Sequence, residues 1–365
     1  MIKVLLVNNN TDCYDLVDNM KHGYRVLAVK NKNFFLPENY PGSVRGQYIS
    51  YVNYNILQQG SSTALGVLST QQLLLALGSE SLTASAALNW VIKDGLGQLG
   101  GVLYAGKTGN RFDIDPKYQK WISAVSINLA CVIEIISPLY PGYFLLLASV
   151  GTFGKNISAI SGSASRAAIH LNFSNNNNLA DITAKNTIQT TTACIIGTFI
   201  GTFCGYYASS YTLGASYFLG FSVIHLYSAF KGLKFIEMNS LNQQRLDIII
   251  EEYIKSGKIL NVEEVGQREV FWKKYKNKKV KVGTGKVFED FVKFDRFIIA
   301  QEKGFVHLVF EEQANSLDMI QGYVKAIERA LGTDALGLVE RLSEKGWNTS
   351  LSYLSPNSIR IKFDS

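Results

Sequence analysis

Two neighbouring stretches of this chain, residues 189–209 and 211–230, contain no Asp, Glu, Lys or Arg over 21 and 20 residues. About 20 apolar residues wound as a helix cross the roughly 30 Å hydrocarbon core of a bilayer. In lipid every backbone N–H and C=O must be satisfied internally, so such segments have to be helical. The junction at Ser209-Ser210 then makes them a helical hairpin. Lys231 and Lys234 directly follow the second stretch. The positive-inside rule places them, together with the C-terminal residues and with Asp181 and Lys185, on the cytosolic side or its organellar equivalent.

Weaker apolar segments precede this pair. Residues 65–77 are short. Residues 82–105 are interrupted by Lys93-Asp94 and four glycines. Residues 121–150 are broken by Pro138 and Pro141 and contain Glu134, and residues 154–171 carry Lys155, Arg166 and His170. The reading is a mainly α membrane bundle of about six or seven embedded helices. Charge density supports it. Residues 64–230 hold 8 Lys/Arg and 6 Asp/Glu among 167 residues, whereas residues 231–365 hold 22 and 19 among 135. The first value is too low for an ordinary soluble domain and the second suits one. The division expected is an N-terminal segment over 1–63, a helical membrane domain over 64–238 and a soluble α/β (α+β) domain over 239–365.

Gly197, Gly201 and Gly205 recur every four residues. Lipid tails are as apolar as leucine, so membrane helices associate through close backbone contact, and small residues at i, i+4 permit it. In water the same glycines would each cost about 1 kcal/mol against alanine. Ser158/Gly162 and Ala159/Ser163 repeat the small-residue spacing earlier.

Outside the bundle, residues 2–7 and a segment around 24–29 read as strands. Tyr48, Tyr51 and Tyr54 share one side of a helix, and two placements suit them: a membrane–water belt or the cap of a core. In the C-terminal part, residues 243–255 read as an amphipathic helix. Residues 286–294 and 297–312 alternate like strands, Ser316 is a good N-cap for a helix over 317–331, and residues 359–363 alternate again. The run KKYKNKKVK, residues 273–281, holds six lysines. It reads either as a contact for anionic head groups or as a solvated loop.

Charges inside an apolar region are functional candidates because each is costly there unless paired or hydrated. The set is Lys93, Asp94, Glu134, Lys155, Arg166, Asp181 and Lys185. Lys155 and Arg166 lie about three helical turns apart on one face, with Ser158, Ala159, Gly162 and His170 beside them. This polar stripe reads as a midplane cavity for an anionic solute, or as charges at helix ends that snorkel to the interface. The glycine-broken KDGLGQLGG, residues 93–101, reads as a discontinuous helix of the kind that lines transporter sites. Asp181 and Lys185 stand at i, i+4, a spacing that permits an ion pair.

Enzyme signatures such as GxSxG, Walker A and HExxH do not occur, so no catalytic residue, cofactor or metal is assigned and the protein is read as not an enzyme. The four cysteines show no CxxC spacing and the four histidines are scattered. Nucleic-acid signatures do not occur either. The N-terminus has neither a long apolar core with a small-residue cleavage site nor the acid-poor composition of a transit peptide.

The stretches LPENYPGSVRGQYISY (36–51), VLSTQQLLLALG (67–78), AALNWVIKDGLGQLGGVLYA (86–105), FDIDPK (112–117), EIISPLYPGYFLLLAS (134–149), GKNISAISGSASRAAIHLNF (154–173) and NLADITAKNTIQTT (178–191) resemble the root-UVB-sensitive (RUS) family. The chain departs from the family pattern at Ala180 and at Thr187-Ile188. The resemblance implies a membrane-associated protein linked to vitamin B6 homeostasis and UV-B responses, in a family where some members act in pairs. It carries over no catalytic residue. Taken together, the reading is a transporter-like, multi-pass membrane protein for a small anionic metabolite such as a B6 vitamer. Its expected partners are the lipid bilayer, an anionic small-molecule solute and a homo- or hetero-oligomeric family member, not nucleic acid. The competing reading is a non-transporting membrane scaffold that recruits a protein through its C-terminal domain.

Overall fold

A computed structural model describes residues 34–77, 84–109, 111–175, 177–208, 210–277, 279–284, 286, 288–354 and 359–362, together with the backbone of two N-terminal strands. Those strands, β1 (Ile2–Val7) and β2 (Cys13–Asp18), pair antiparallel. The strand expected around residues 24–29 lies outside the described residues.

The helical part is built from α1 (Tyr48–Leu77), α2 (Ala84–Thr108), the single turn α3 (Arg111–Ile114), α4 (Pro116–Ile136), α5 (Phe144–Phe173), α6 (Leu179–Tyr207) and α7 (Tyr211–Lys234). Pro116 opens α4, at the one helical turn where a missing N–H costs nothing. Pro138 and Pro141 force two 3-10 turns that separate α4 from α5. Ser210 caps α7, its hydroxyl accepting from the Leu213 N–H at 3.2 Å.

Among the described residues four helical spans, 116–139, 141–173, 179–207 and 211–234, are long and apolar enough to cross a membrane. The sequence reading of six or seven is not reached, for two reasons. Segments 121–150 and 154–171 resolve into α4 and one long α5 rather than three pieces. The long helices α1 and α2 carry glutamines, serines and the Lys93-Asp94 pair, which lower their hydropathy. The outward faces are nonetheless apolar. Leu88, Val91, Leu99, Val102 and Leu103 of α2 and Ile195, Ile196, Phe199 and Phe203 of α6 are exposed.

Gly197, Gly201 and Gly205 are buried on the opposite side of α6, where they seat α6 on α1. A Cβ at Gly197 would run into the Gly60 carbonyl, one at Gly201 would come within 2.9 Å of Ala64 Cα, and one at Gly205 would meet the Gln71 amide. The helix α2 runs unbroken through KDGLGQLGG, so the expected discontinuity is replaced by close packing. Gly97, Gly100 and Gly101 face Thr152, Phe153 and Asn156 of α5. Tyr48 and Tyr51 form no membrane belt. Both are buried against Phe173, with ring centroids 5.4 and 5.1 Å away, and α1 continues through residue 63 without a break.

The C-terminal part comprises β3 (Ser240–Asn242), α8 (Gln243–Ser256), α9 (Val262–Arg268), β4 (Val280–Val282), β5 (Phe291–Lys293), β6 (Phe297–Glu302), β7 (Phe305–Phe310), α10 (Ser316–Leu331), the short α11 (Leu338–Arg341) and β8 (Asn348–Tyr353). Four strands order as β4-β7-β6-β5, with β4 and β7 parallel and the others antiparallel, and β3 pairs parallel with β8. Residues 297–312 are therefore a hairpin, turning at Lys303-Gly304 with both φ values positive. Asn315 rather than Ser316 caps α10, in a capping box with Asp318. The expected strand at 359–363 is a single bridge from Ile361 to Glu311. One apolar core gathers Leu246, Ile250, Phe297, Leu308, Phe310, Tyr323 and Trp347.

This domain is fastened to the bundle. Glu269, just after α9, lies 2.7 Å from Lys117 of α4 and 2.8 Å from Arg245 of α8, with all three side chains buried. Asn242 donates to the Ile114 carbonyl at 3.0 Å and to Asp115 at 2.7 Å. Phe230 of α7 packs on Phe271 and Trp272.

Candidate functional site

One turn beyond Lys117, α4 turns Lys120, Ser123, Ala124 and Ile127 inward. Ser158, Ala159, Gly162 and Arg166 of α5 face them, spaced so that one residue per turn reaches the same side. Gln58, Gln59 and Ser62 of α1 and His225 of α7 complete a cavity of about 130 Å³. Gly162 lets the helices close up: a Cβ there would meet the Ser123 hydroxyl. Ser123 in turn donates to the Ser158 carbonyl at 2.7 Å.

The cavity is cationic. Lys120 is 3% exposed, Arg166 projects from the opposite wall, and among the described residues no acid lines the cavity. Arg166 Nε is buried without a hydrogen-bond partner among the described residues, as is Nε2 of His170 one turn further along α5. His225 is held in place. Asn128 Nδ2 donates to its Nδ1 at 2.6 Å, and its Nε2 lies 3.5 Å from the Gln58 amide. Ser222 donates in turn to Asn128 Oδ1. The arrangement offers donors and positive charge, without a nucleophile paired to a base.

The structure places the sequence-selected residues in separate locations. Arg166, with Ser158, Ala159 and Gly162, lines the cavity. Lys155 is neutralised by Glu134 at 2.6 Å, the carboxylate being 1% exposed. It faces a neighbouring cleft of about 710 Å³ that shares Ile127 with the cavity. Lys93 pairs with Asp94 at 2.5 Å, donates to Thr152 at 3.3 Å and covers the Trp90 ring, so this pair belongs to the α2–α5 contact. Asp181 accepts from the Glu38 N–H at 2.7 Å and Lys185 donates to the Phe34 carbonyl at 3.4 Å. These two tie down the segment before α1.

Lys120 escapes the sequence reading because the apolar run begins at Trp121, one residue after it. A signal is present in Asp115-Pro116, a helix-start pair, which puts Lys117 and Lys120 inside the first two turns of α4. Gln58 and His225 carry no such signal. Among the described residues, no group of His, Cys, Asp and Glu is placed to hold a metal ion.

The fold and site define a class: a helical bundle with four membrane-length spans, holding Lys120 and Arg166 around an inner cavity and joined to a small α+β domain. The chain belongs to the root UVB sensitive family. Residues 22–257 match the family described as the vitamin B6 photo-protection and homoeostasis domain. The chain is similar to root UVB sensitive 4 of Arabidopsis thaliana, 33% identical over 73% of this chain and 53% of that protein. It is also similar to root UVB sensitive 2, chloroplastic, of the same plant, 30% identical over 80% of this chain and 71% of that one. To RUS family member 1 of Dictyostelium discoideum it is 28% identical over 71% of this chain and 50% of that protein. The chain thus spans about half the length of root UVB sensitive 4. No solved structure matches it.

Proposed function

We propose that the protein is a multi-pass membrane carrier for a small anionic metabolite, with the cavity between Lys120 and Arg166 as its solute site. One observation carries the reading: the buried Lys120 and the half-buried Arg166, whose Nε is buried without a partner, face each other from two helices across a space that no carboxylate lines among the described residues. Taking an ion out of water costs several kcal/mol even after relaxation. An anion between the two would return charge-assisted hydrogen bonds to both. Ionisable groups inside apolar bundles mark solute pathways.

The family's tie to vitamin B6 homoeostasis supports a phosphorylated B6 vitamer as solute. About 130 Å³ suits its phosphate, and its ring would extend toward the cleft beyond Ile127. Binding and passage need no bond-making step, so the reading assigns no catalysis and no cofactor.

The test is uptake of phosphorylated B6 vitamers into liposomes holding the purified protein. Lys120→Gln and Arg166→Gln are each expected to reduce uptake by about tenfold or more, the worth of a charge-assisted bond. Lys185→Gln, at the segment before α1, should leave it intact. Uptake unchanged in both cavity variants removes the site. No flux at all, with a family member still captured by the full-length protein, would shift the assignment to a non-transporting scaffold.

A further inference from the structure

A third pocket, of about 630 Å³, opens where the bundle meets the C-terminal domain, and its size falls within the range of small-molecule sites. Its walls come from both parts of the protein. Tyr104 and Arg111 arrive from the end of α2 and from α3, Tyr118 from α4, and Lys274, Tyr275 and Lys276 from the lysine-rich run after α9.

Three features give the pocket a chemistry. First, Arg111, Lys274 and Lys276 converge on it, and none of them forms an ion pair among the described residues. They are close enough to oppose one another: partial desolvation, and then Arg111 and Lys276, hold the Lys274 ammonium below the ordinary lysine value, against the pull of Asp115. The lining acid, Asp115, already accepts from Asn242 at 2.7 Å. Second, the pocket is aromatic. The Tyr104 hydroxyl is fixed by Ser161 at 2.7 Å and Gln119 at 3.3 Å, and the Tyr275 hydroxyl donates to Asp247. Rings tethered in this way have little freedom to lose when a flat ligand stacks on them. Third, the walls belong to two bodies, so an occupant would touch both.

We propose that this junction pocket binds a phosphate monoester borne on a planar ring, with the phosphate against Arg111, Lys274 and Lys276 and the ring among the tyrosines. The proposal is independent of the carrier assignment, since it shares no lining residue with the Lys120–Arg166 cavity. The same phosphate chemistry also occurs on a lipid head group, and the test separates the two sources.

Phenyl phosphate is titrated calorimetrically into the full-length protein in phosphatidylcholine nanodiscs, with inorganic phosphate in parallel. Arg111→Gln and Lys274→Gln should each weaken phenyl phosphate about tenfold, and Lys345→Gln, an exposed position that lines neither pocket, should not. Tyr118→Ala should weaken phenyl phosphate but leave inorganic phosphate unchanged, which reads the ring contact separately from the charge. In the lipid arm, phosphatidic acid is added to the nanodiscs. A rise in thermal midpoint that Arg111→Gln abolishes, with no binding of phenyl phosphate, assigns the phosphate to a lipid and discards the planar ring. The proposal is overturned if neither probe binds, or if both bind equally well to Arg111→Gln and Lys274→Gln. Lys274 is exposed, so its variant does not depend on refolding a core.

Discussion

Glu269 sits between two cations that would be costly without it. Burial alone would raise its carboxyl, but Arg245 and Lys117 outweigh that and hold it below the usual carboxylate range. A depressed carboxylate contributes stability above its unfolded value and loses it as the pH falls through the folded one. Glu269→Gln removes the carboxylate that directly pairs the buried Lys117 and Arg245, and should lower stability by about 3–5 kcal/mol in thermal unfolding of the detergent-solubilised protein. Asp247 works with the opposite sign. Burial pushes it up to about 6, against hydrogen bonds from Tyr275, Tyr323 and Asn277. Its folded form therefore holds a proton that the unfolded chain has released, and its contribution fades as the pH rises from about 4 to about 6. Asp247→Asn should abolish that part of the slope when unfolding is followed across this window, and a slope unchanged by the substitution would exclude Asp247 as its source.

Glycines within one helix can be told apart by what faces them. Gly201 of α6 lies against Ala64 of α1, so Gly201→Leu must push the two helices apart, at about 1–3 kcal/mol for overpacking. Gly95 of α2 has open space where a Cβ would go. Gly95→Ala should therefore leave the protein as stable or stabilise it by up to about 1 kcal/mol. The two midpoints, measured side by side, should move in opposite directions or differ clearly. The Gly197, Gly201 and Gly205 spacing could be read from sequence because its period matches the helix. The role of Gly97, Gly100 and Gly101 could not, because it depends on Thr152, Phe153 and Asn156, more than 50 residues away. The same limit explains Tyr48 and Tyr51, whose partner Phe173 lies at the far end of α5. Local signals did better: helices over 243–255 and 317–331 and the alternation at 297–312 all depend on near neighbours. Arg166 was legible as a charge in an apolar run, while the company it keeps with Lys120, Gln58 and His225 arises only when α1, α4, α5 and α7 are brought together.

The change in charge density near residue 231 corresponds to a change in architecture, from helices with apolar outer faces to a sheet-and-helix domain with its own core. Leucines, isoleucines and phenylalanines exposed along α2 and α6 form more apolar surface than water-facing monomers usually leave uncovered. If that surface faces lipid, alkaline washing of membranes should leave the protein in the pellet, and only detergent should release it. Recovery as a compact monomer in the aqueous wash would remove the carrier assignment along with the membrane.

Lys117 and Lys120 stand one turn apart on α4, about 4.5 Å along its axis. The first grips the C-terminal domain through Glu269 and the second faces the cavity. A rigid rod gripped at one point transmits any tug or twist to the next, so the domain cannot rock without moving the cavity's cation with it.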